Sequence, residues 1–378
     1  MPERILVSDA EERAVLAVCR GLDRAGYLVS AVAGTRPAAG HWSRSVTQRY
    51  TLPNPRLEPD AFVAGLVAIA TKNAHAALIP GVEAALLAVS EHRARLEPHL
   101  RIGLPPHDVI LRALDKPALL DAATSVGLGP PPSATCTEVE EAVAAARRIG
   151  YPVVVKPVHS LVRDEHRMLT TGFADDENEL RALLPAYGSP VTIQRCETGR
   201  VVSLSGVVAG GSLIGLCAAR DQRMWPPRGG YTSASTTIAA PPAVVARLER
   251  LLEVLGWQGI FQLELVELGD GELATIDFNP RPYGSLTLAV ESGANLPALW
   301  VDWLLDRRPT AARSRPGVGY RWEETELLNA AVALRHGRLV DAKRILAPRR
   351  GTTHAFVRAK DPGPLAARAV NILRKRFR

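Results

Sequence analysis

Cysteine is scarce and scattered in this chain. Cys19, Cys136, Cys196 and Cys217 form no C-x-x-C pair, which excludes a thiolate zinc site and a disulfide framework and leaves reduced, mostly buried thiols. No apolar run approaches the ~20 residues that span a bilayer, so no membrane partner is expected. The opening Met1-Pro-Glu-Arg-Ile-Leu-Val7, with Asp9, Glu11 and Glu12 close by, has no signal-peptide pattern, and the expected location is cytoplasmic. The turn after this first apolar run lacks G-x-G-x-x-G, the Walker A pattern is absent, no histidines form H-E-x-x-H and no serine sits in G-x-S-x-G. A dinucleotide fingerprint, a P-loop, a metalloprotease helix and a hydrolase elbow are thereby excluded. No repeat of ~20 to 50 residues is present, which removes solenoids and propellers.

What remains is a chain of 378 residues, 47% hydrophobic and 22% charged, long enough for two or three cores. The net charge of +7 comes mainly from arginine. The basic cluster Leu373-Arg-Lys-Arg-Phe-Arg378 reads as a solvated helix end, and without a supporting motif nucleic acid is not an expected partner. Positive potential in a cleft would suit a phosphate-rich substrate.

Residues 4–8, an amphipathic stretch to about Arg24 and a run from Tyr27 to Val32 form a βαβ opening, continued by Ala76–Pro80 and a helix over Glu83–His92. Residues 1–105 are therefore expected to form a parallel α/β domain. A helix over Lys116–Val126, the stiff Pro130-Pro-Pro132, a helix over Glu138–Ile149 and a strand at Tyr151-Pro-Val-Val-Val-Lys-Pro157 predict a linker and small lid over 106–190. A strand-rich core is expected over 191–305 and an extension over 306–378.

The richest segment is Phe261–Ser285. Two apolar runs flank Asp270-Gly271, which predicts a two-residue hairpin turn. In that register Glu264 faces Asp277 and Gln262 faces Asn279, while Leu263, Leu265, Ile276 and Phe278 share the other side. Opposed carboxylates repel, so this pair calls for a cation, and oxygen ligands of this kind suit Mg²⁺ beside substrate phosphates. Arg281, two residues past Asn279, is placed to hold an anion there. Lys156 ends a run of valines, where a buried ammonium needs an anionic partner, either a phosphate or a core carboxylate. Lys116 lies at a helix start, a place that welcomes anions. The loop Arg220–Ser233 packs three arginines and Gly229-Gly230 together; Arg220 is the preferred anion contact, and Arg228, Gly229 and Gly230 are candidates for a substrate carboxylate. Ser285, in the turn after Arg281, would leave room for an acceptor.

Asp115-Lys116, Tyr151–Pro157, Gln262-Leu-Glu264 and Ile276-Asp-Phe-Asn-Pro-Arg281 occur in the order and approximate spacing of the ATP-grasp superfamily. The chain resembles the branch containing the ATP-grasp domain of carbamoyl-phosphate synthetase and the carboxylate–amine ligases. The resemblance implies an α/β fold, α+β in its C-terminal core, with a parallel N-terminal domain, a small mobile lid and a central antiparallel sheet. It implies that Lys116 and Lys156 grip ATP phosphates and that Gln194, Arg195 and Cys196 form the hinge meeting adenine. Glu264 and Asn279, with Asp277 as a third ligand or a group orienting Arg281, would hold Mg²⁺, with Mn²⁺ a substitute; Arg281 would stabilise the transferring phosphoryl group. The implied substrates are ATP, a small carboxylate and an amine, such as an amino acid or peptide, joined through an acyl phosphate with release of ADP and phosphate.

Two departures stand out. Lys156 is followed by no glycine until Gly172, leaving His159, Ser160, Arg163 or Arg167 to contact phosphates by side chains. Val201 stands where many relatives place a ribose-binding glutamate, a role that falls to Glu197. The alternatives are a phosphotransferase stopping at an acyl or carbamoyl phosphate and a non-catalytic nucleotide-binding module. Leu286–Trp303 is apolar enough to pack on its own core or on a second copy in a homodimer.

Overall fold

Short valine- and alanine-rich runs separated by amphipathic segments build a parallel sheet from β1 (Arg4–Val7), β2 (Leu28–Ala33), β3 (Gln48–Thr51), β4 (Ala77–Ile79) and β5 (Arg101–Ile102). The computed structural model describes residues 2–159, 161, 162, 167–269 and 271–376. The strand order is β3-β2-β1-β4-β5, so the direction of winding reverses between β1 and β4. Helices α1 (Arg13–Arg24), α2 (Pro59–Lys72), α3 (Glu83–Glu91) and α4 (Arg93–Leu96) accompany it. Alternation sorts the side chains: Leu6, Val32 and Leu78 pack on Phe62 and Leu66 of α2, while Ile5, Val7 and Ala31 join Val15 and Val18 of α1 in a core continuous with later elements. The expected strands correspond to β1, β2 and β4, whereas β3, β5 and α2 lack the clean periodicity that marks the others.

Helices α5 (His107–Leu114) and α6 (Lys116–Ser125) lead into a second sheet. Asp115 caps α6 by accepting the Ala118 amide at 2.9 Å, which fixes Lys116 at its first turn. The second sheet runs β10-β7-β11-β6, all antiparallel, from β6 (Ser133–Cys136), β7 (Val153–Pro157), β10 (Gly172–Ala174) and β11 (Val191–Arg195). A short pair, β8 (Leu161–Val162) and β9 (Arg167–Met168), projects beyond β7, and α7 (Val139–Ile149) and α8 (Glu177–Leu183) cover one face. Val153, Val155, Val191 and Ile193 fill that face with Ala142 and Ala146. Lys156, Thr192 and Gln194 consequently share the opposite one.

The third sheet begins with β12 (Val201–Ala209), β13 (Ser212–Trp225), β14 (Tyr231–Thr237), β15 (Gly259–Glu267) and β16 (Leu273–Asn279), accompanied by α9 (Pro242–Leu255), α10 (Leu286–Ser292) and α11 (Leu296–Leu304). Its order β16-β15-β12-β13-β14 continues into β18 (Gly319–Arg321) and β19 (Thr352–His354), with β17 (Ala312–Arg313) beside β13. The segment after residue 305 is thus built into the sheet, and adds α12 (Glu323–Arg335), α13 (Leu339–Leu346) and α14 (Gly363–Arg376). One face carries Leu204, Leu263, Leu265 and Phe278 against α5, α6 and α9. The other carries Val207, Cys217 and Ile260 against α10, α11 and α1, and this shared core absorbs Leu286, Leu296, Trp300 and Val301 within the chain itself.

The C-terminal segment is pinned to α1 by a buried ion pair. Asp361 accepts Arg20 Nε at 2.9 Å, Ser43 Oγ at 2.7 Å and the Arg44 amide at 2.9 Å. Burial alone would raise the Asp361 pKa, but the Arg44 amide, Ser43 and Arg20 outweigh it and hold the carboxyl below its ordinary value. Asp361→Ala strands the Arg20 charge in the interior, so unfolding free energy is expected to fall by about 3 kcal/mol in urea titration. The pair's stabilisation is present at neutral pH and is lost as pH falls through the depressed pKa.

Among the described residues no helix is long and apolar enough to cross a membrane.

Candidate active site

The face of Ile260 on β15 carries Gln262 and Glu264 by alternation, and the neighbouring β16 pairs Asn279 with Gln262 and Asp277 with Glu264. That part of the expected register is observed. Beyond Glu264 a bulge intervenes: Leu265 pairs with Thr275, leaving Ile276 as the extra residue. The turn is corrected as well. Leu268 accepts from the Gly271 amide and donates to the Glu272 carbonyl at 2.8 Å, so three residues rather than two close the hairpin, with Gly271 at φ +84°. Asp270, half of the expected turn, lies outside the described residues.

The bulge has a use. Ile276 is only half-buried rather than part of the apolar side, and its carbonyl accepts Lys156 Nζ at 2.6 Å. The same ammonium donates to Gln194 Oε1 at 2.9 Å, joining the second sheet to the edge of the third. Burial pushes the Lys156 pKa down to about 8, opposed mainly by Asp277, with Lys116 adding to the depression and Glu264 opposing it. Both carboxylates and both lysines therefore share one electrostatic environment. Burial also raises the Glu264 pKa, reinforced by Asp277 and Asp221 and moderated by Lys156 and Arg281. Arg281 Nη2 donates to Asn279 Oδ1 at 3.0 Å and its Nη1 to the Pro282 carbonyl at 3.0 Å. Asn279 Nδ2 donates to Gln262 Oε1 at 3.3 Å.

This donor set fits a hard divalent cation with phosphates. Two opposed carboxylates lie beside an amide oxygen, with two lysines and an arginine around them. No cluster of three or more His, Cys, Asp or Glu suited to a metal occurs among the described residues, so a cation here would take part of its coordination from substrate oxygens and water. Gln194 Nε2 is buried without a hydrogen-bond partner among the described residues. At the expected hinge the Arg195 and Cys196 amides are already given to the Pro132 and Pro152 carbonyls, at 2.8 and 3.0 Å. Their amide hydrogens are therefore not the groups that would meet a base. Arg195 and Glu197 are ion-paired with each other. His159 is exposed, whereas Ser160 and Arg163 lie outside the described residues, as does the Arg167 side chain.

Expectations for the arginine-rich segment are corrected: β13 runs on through Trp225 and β14 begins at Tyr231, so the loop is confined to residues 226–230. Arg220 pairs with Val202, which pairs with Leu265, so it projects from the face opposite Glu264. There it donates to Glu267 at 2.6 Å and cannot contact an anion at Arg281. Arg228 is ion-paired with Asp175, just after β10, and lies 5.8 Å from the Phe173 ring. A Cβ on Gly229 would come within 2.3 Å of Phe173, and one on Gly230 within 2.4 Å of the Trp225 carbonyl. Arg228 and Gly229 thus pack on the second sheet, and Gly230 on Trp225 and Pro226 of its own loop. Arg228→Ala is expected to leave urea stability nearly unchanged, as loss of an exposed pair does, while speeding proteolytic cleavage between residues 169 and 175 several-fold. Ser285 is buried, and its carbonyl accepts the Leu288 amide at 2.8 Å at the start of α10.

Sequence reasoning missed two carboxylates. Asp221 follows Arg220 and thus projects on the cleft face; burial pushes its pKa up to about 6 against a bond from Thr232 Oγ1 at 2.8 Å. It falls in a stretch expected to be a loop, whereas β13 continues through it, and its face depends on the register with the neighbouring strands. Glu83 opens α3 at the winding reversal, and burial raises its pKa against the fields of Arg281 and Lys116. Nothing local marks it.

The paired sheets, with a basic and acidic cleft between them, have the ATP-grasp fold, and part of the chain is similar in sequence to the large chain of carbamoyl phosphate synthase. The carbamoyl phosphate synthase large chain of Thermotoga petrophila is 25% identical over 240 residues, 57% of this chain and 21% of that protein. The Vibrio cholerae large chain is 26% identical over 197 residues, 48% of this chain and 17% of that one. The chain therefore spans about a fifth of the length of the curated relatives it matches. No family model matches it. Among solved structures, the biotin carboxylase domain of 2-oxoglutarate carboxylase from Hydrogenobacter thermophilus, in complex with MgADP, ADP and bicarbonate, superposes with TM-score 0.64 at 17% identity, covering 84% of this chain and 73% of that one. An L-amino acid ligase from Bacillus licheniformis gives TM-score 0.60 at 16% identity, covering 80% and 74%. At such identities these structures show a common fold.

Proposed function

We propose that the chain is an ATP- and Mg²⁺-dependent carboxylate–amine ligase. The observation that carries this reading is the convergence of Lys156 and Lys116 with Glu264, Asp277, Asn279 and Arg281 across the two sheets. In the proposed reaction a substrate carboxylate oxygen attacks the γ-phosphorus of ATP and ADP leaves. An amine nitrogen then attacks the acyl carbon, phosphate leaves and the nitrogen loses a proton. Such chemistry needs positioning and charge neutralisation more than covalent help. Lys116 and Lys156 are assigned to the phosphates, Gln194 to the nucleotide through its unpaired Nε2, and Arg281 to charge developing on the transferred group. Glu264, Asp277 and Asn279 would hold Mg²⁺, which supplies charge neutralisation between phosphates when bound.

The test is ADP release from Mg·ATP against pooled carboxylates and amines, read beside mass spectrometry for a condensed product. ADP with a new amide mass supports the ligase; no ADP above an Arg281→Ala control in any pool overturns it. The likeness to carbamoyl phosphate synthase large chains favours one second reading, a phosphotransferase that stops at the acyl or carbamoyl phosphate. ADP formed without stoichiometric phosphate would select it.

A further inference from the structure

Arg13, the first residue of α1, sits where four segments meet. Its Nε donates to the Gly284 carbonyl at 3.1 Å, three residues beyond Arg281. Its guanidinium carbon lies 3.4 Å from the Trp322 ring centroid and 5.6 Å from that of Tyr231, and those two rings meet edge to face at 6.1 Å. Trp322 comes from the C-terminal segment and Tyr231 from the start of β14. The fit is close: a Cβ on Gly284 would come within 2.2 Å of Arg13 Nη2.

A guanidinium held this way ordinarily has a carboxylate. Among the described residues Arg13 makes no ion pair, and its Nη1 is buried without a hydrogen-bond partner. Burial lowers its pKa below the ordinary arginine value. The acceptor it uses among the described residues, the Gly284 carbonyl, is shared with Tyr320 Oη at 3.2 Å. Cation–π stacking on Trp322 satisfies a face of the guanidinium and leaves the in-plane donors of its outer edge unmatched. A cation with one amino group sealed from water and no ion-pair partner is costly, and an anion that docks on it lowers that cost. The location is also suited to a small ligand. Arg13 follows β1, one of the two strands flanking the winding reversal, and ligands of open parallel sheets lie beyond strand ends at that point. The residue is part-exposed and Tyr231 is 58% exposed, so the aromatic box is open to solvent on one side.

We propose that Arg13, backed by Trp322 and Tyr231, docks the carboxylate of an α-amino acid that serves as the acceptor amine. The proposal rests on the ligase reading for the fate of the amine, while the carboxylate site stands on Arg13 alone. A planar carboxylate matches the Nη edge of the guanidinium, and the rings supply an apolar wall for the remainder. The anion sits at the N-terminus of a helix of 12 residues, whose dipole adds to the attraction. The Gly284 contact ties the docking group to the loop that carries Arg281, so acceptor and phosphorylated carboxylate are presented from one loop.

The experiment uses the full chain in thermal denaturation with each of the twenty L-amino acids and, at equal concentration, the corresponding carboxamides. At least one free acid should raise Tm and its amide should not. Arg13→Met should lose the response, and Gly284→Ala, which keeps the charge but displaces the guanidinium, should lose it too. In turnover the apparent KM for that acid should rise about 10- to 100-fold in Arg13→Met with the KM for ATP unchanged, the loss of a charge-assisted pair. Absence of any acid response in the wild type, an equal response to the amide, or a response surviving in Arg13→Met overturns the proposal. Mg·ATP is tested separately in both proteins. No Mg·ATP response beside an Arg13-dependent acid response sinks the ligase reading and leaves the carboxylate site standing.

Discussion

Arg281→Ala should lower the rate of ADP release by about 10²- to 10³-fold at saturating Mg·ATP, the size of effect seen when one preorganised donor to a developing anion is removed. The side chain is fixed at both ends of its fork, by Asn279 Oδ1 and by the Pro282 carbonyl, so its position needs no rearrangement when charge develops. Arg281→Lys should recover little, because an ammonium cannot keep both contacts while facing a phosphoryl group. A structural role predicts something else: loss of Tm comparable to loss of rate. Measuring both on the same preparation separates the two, and a variant that keeps its rate but melts early would remove Arg281 from the proposed machinery.

Glu264→Gln should abolish turnover and yet stabilise the metal-free protein at neutral pH by about 1–3 kcal/mol. Burial and the facing Asp277 raise the Glu264 pKa. As pH climbs through the ordinary value of 4.5, the unfolded chain releases a proton that the folded chain retains, so this group's contribution to stability falls with rising pH. Lys156 acts in a different window with the opposite slope. Its pKa of about 8 lies below the ordinary 10.5, so between those values the unfolded chain holds the extra proton and stability rises, by on the order of 3 kcal/mol in total. The difference between wild-type and Glu264→Gln stability should therefore widen from pH 4 to 8 in chelator, and narrow when Mg·ATP is added. A constant difference across that range would mean that the carboxyl is not held in this environment.

The readable parts of the molecule were those governed by short-range rules. The expected facing of Glu264 by Asp277 and of Gln262 by Asn279 is observed because two departures from simple alternation offset each other: the turn holds one residue more than expected, and the extra residue Ile276 restores the register beyond it. The bulge at Ile276 has no local signal, and it redirects a carbonyl to Lys156 that simple alternation would have left in the sheet. Arg220 shows the same limit: it stands at the end of a legible apolar run, but the strand continues past it and its face depends on the register with β12, which no local pattern fixes. Arg228 carried the residue type that suits a substrate carboxylate, and its partner Asp175 lies 53 residues away in sequence. Arg13 was invisible for a related reason. Each member of its box, drawn from α1, the loop before α10, the start of β14 and the residue before α12, is unremarkable beside its own neighbours.

The way β18 completes the third sheet has a consequence for synthesis. β18 pairs with β14, and Trp322 and Tyr320, which wall in Arg13 and share its carbonyl, come from this late stretch. On the ribosome the parallel sheet and the hairpin bearing Glu264 and Asp277 emerge long before it. Nascent chains stalled after residue 305 are thus expected to possess the phosphate-facing half of the cleft while α1 still exposes an unscreened arginine beside open strand edges, the condition in which emerging chains are most exposed to pairing with one another.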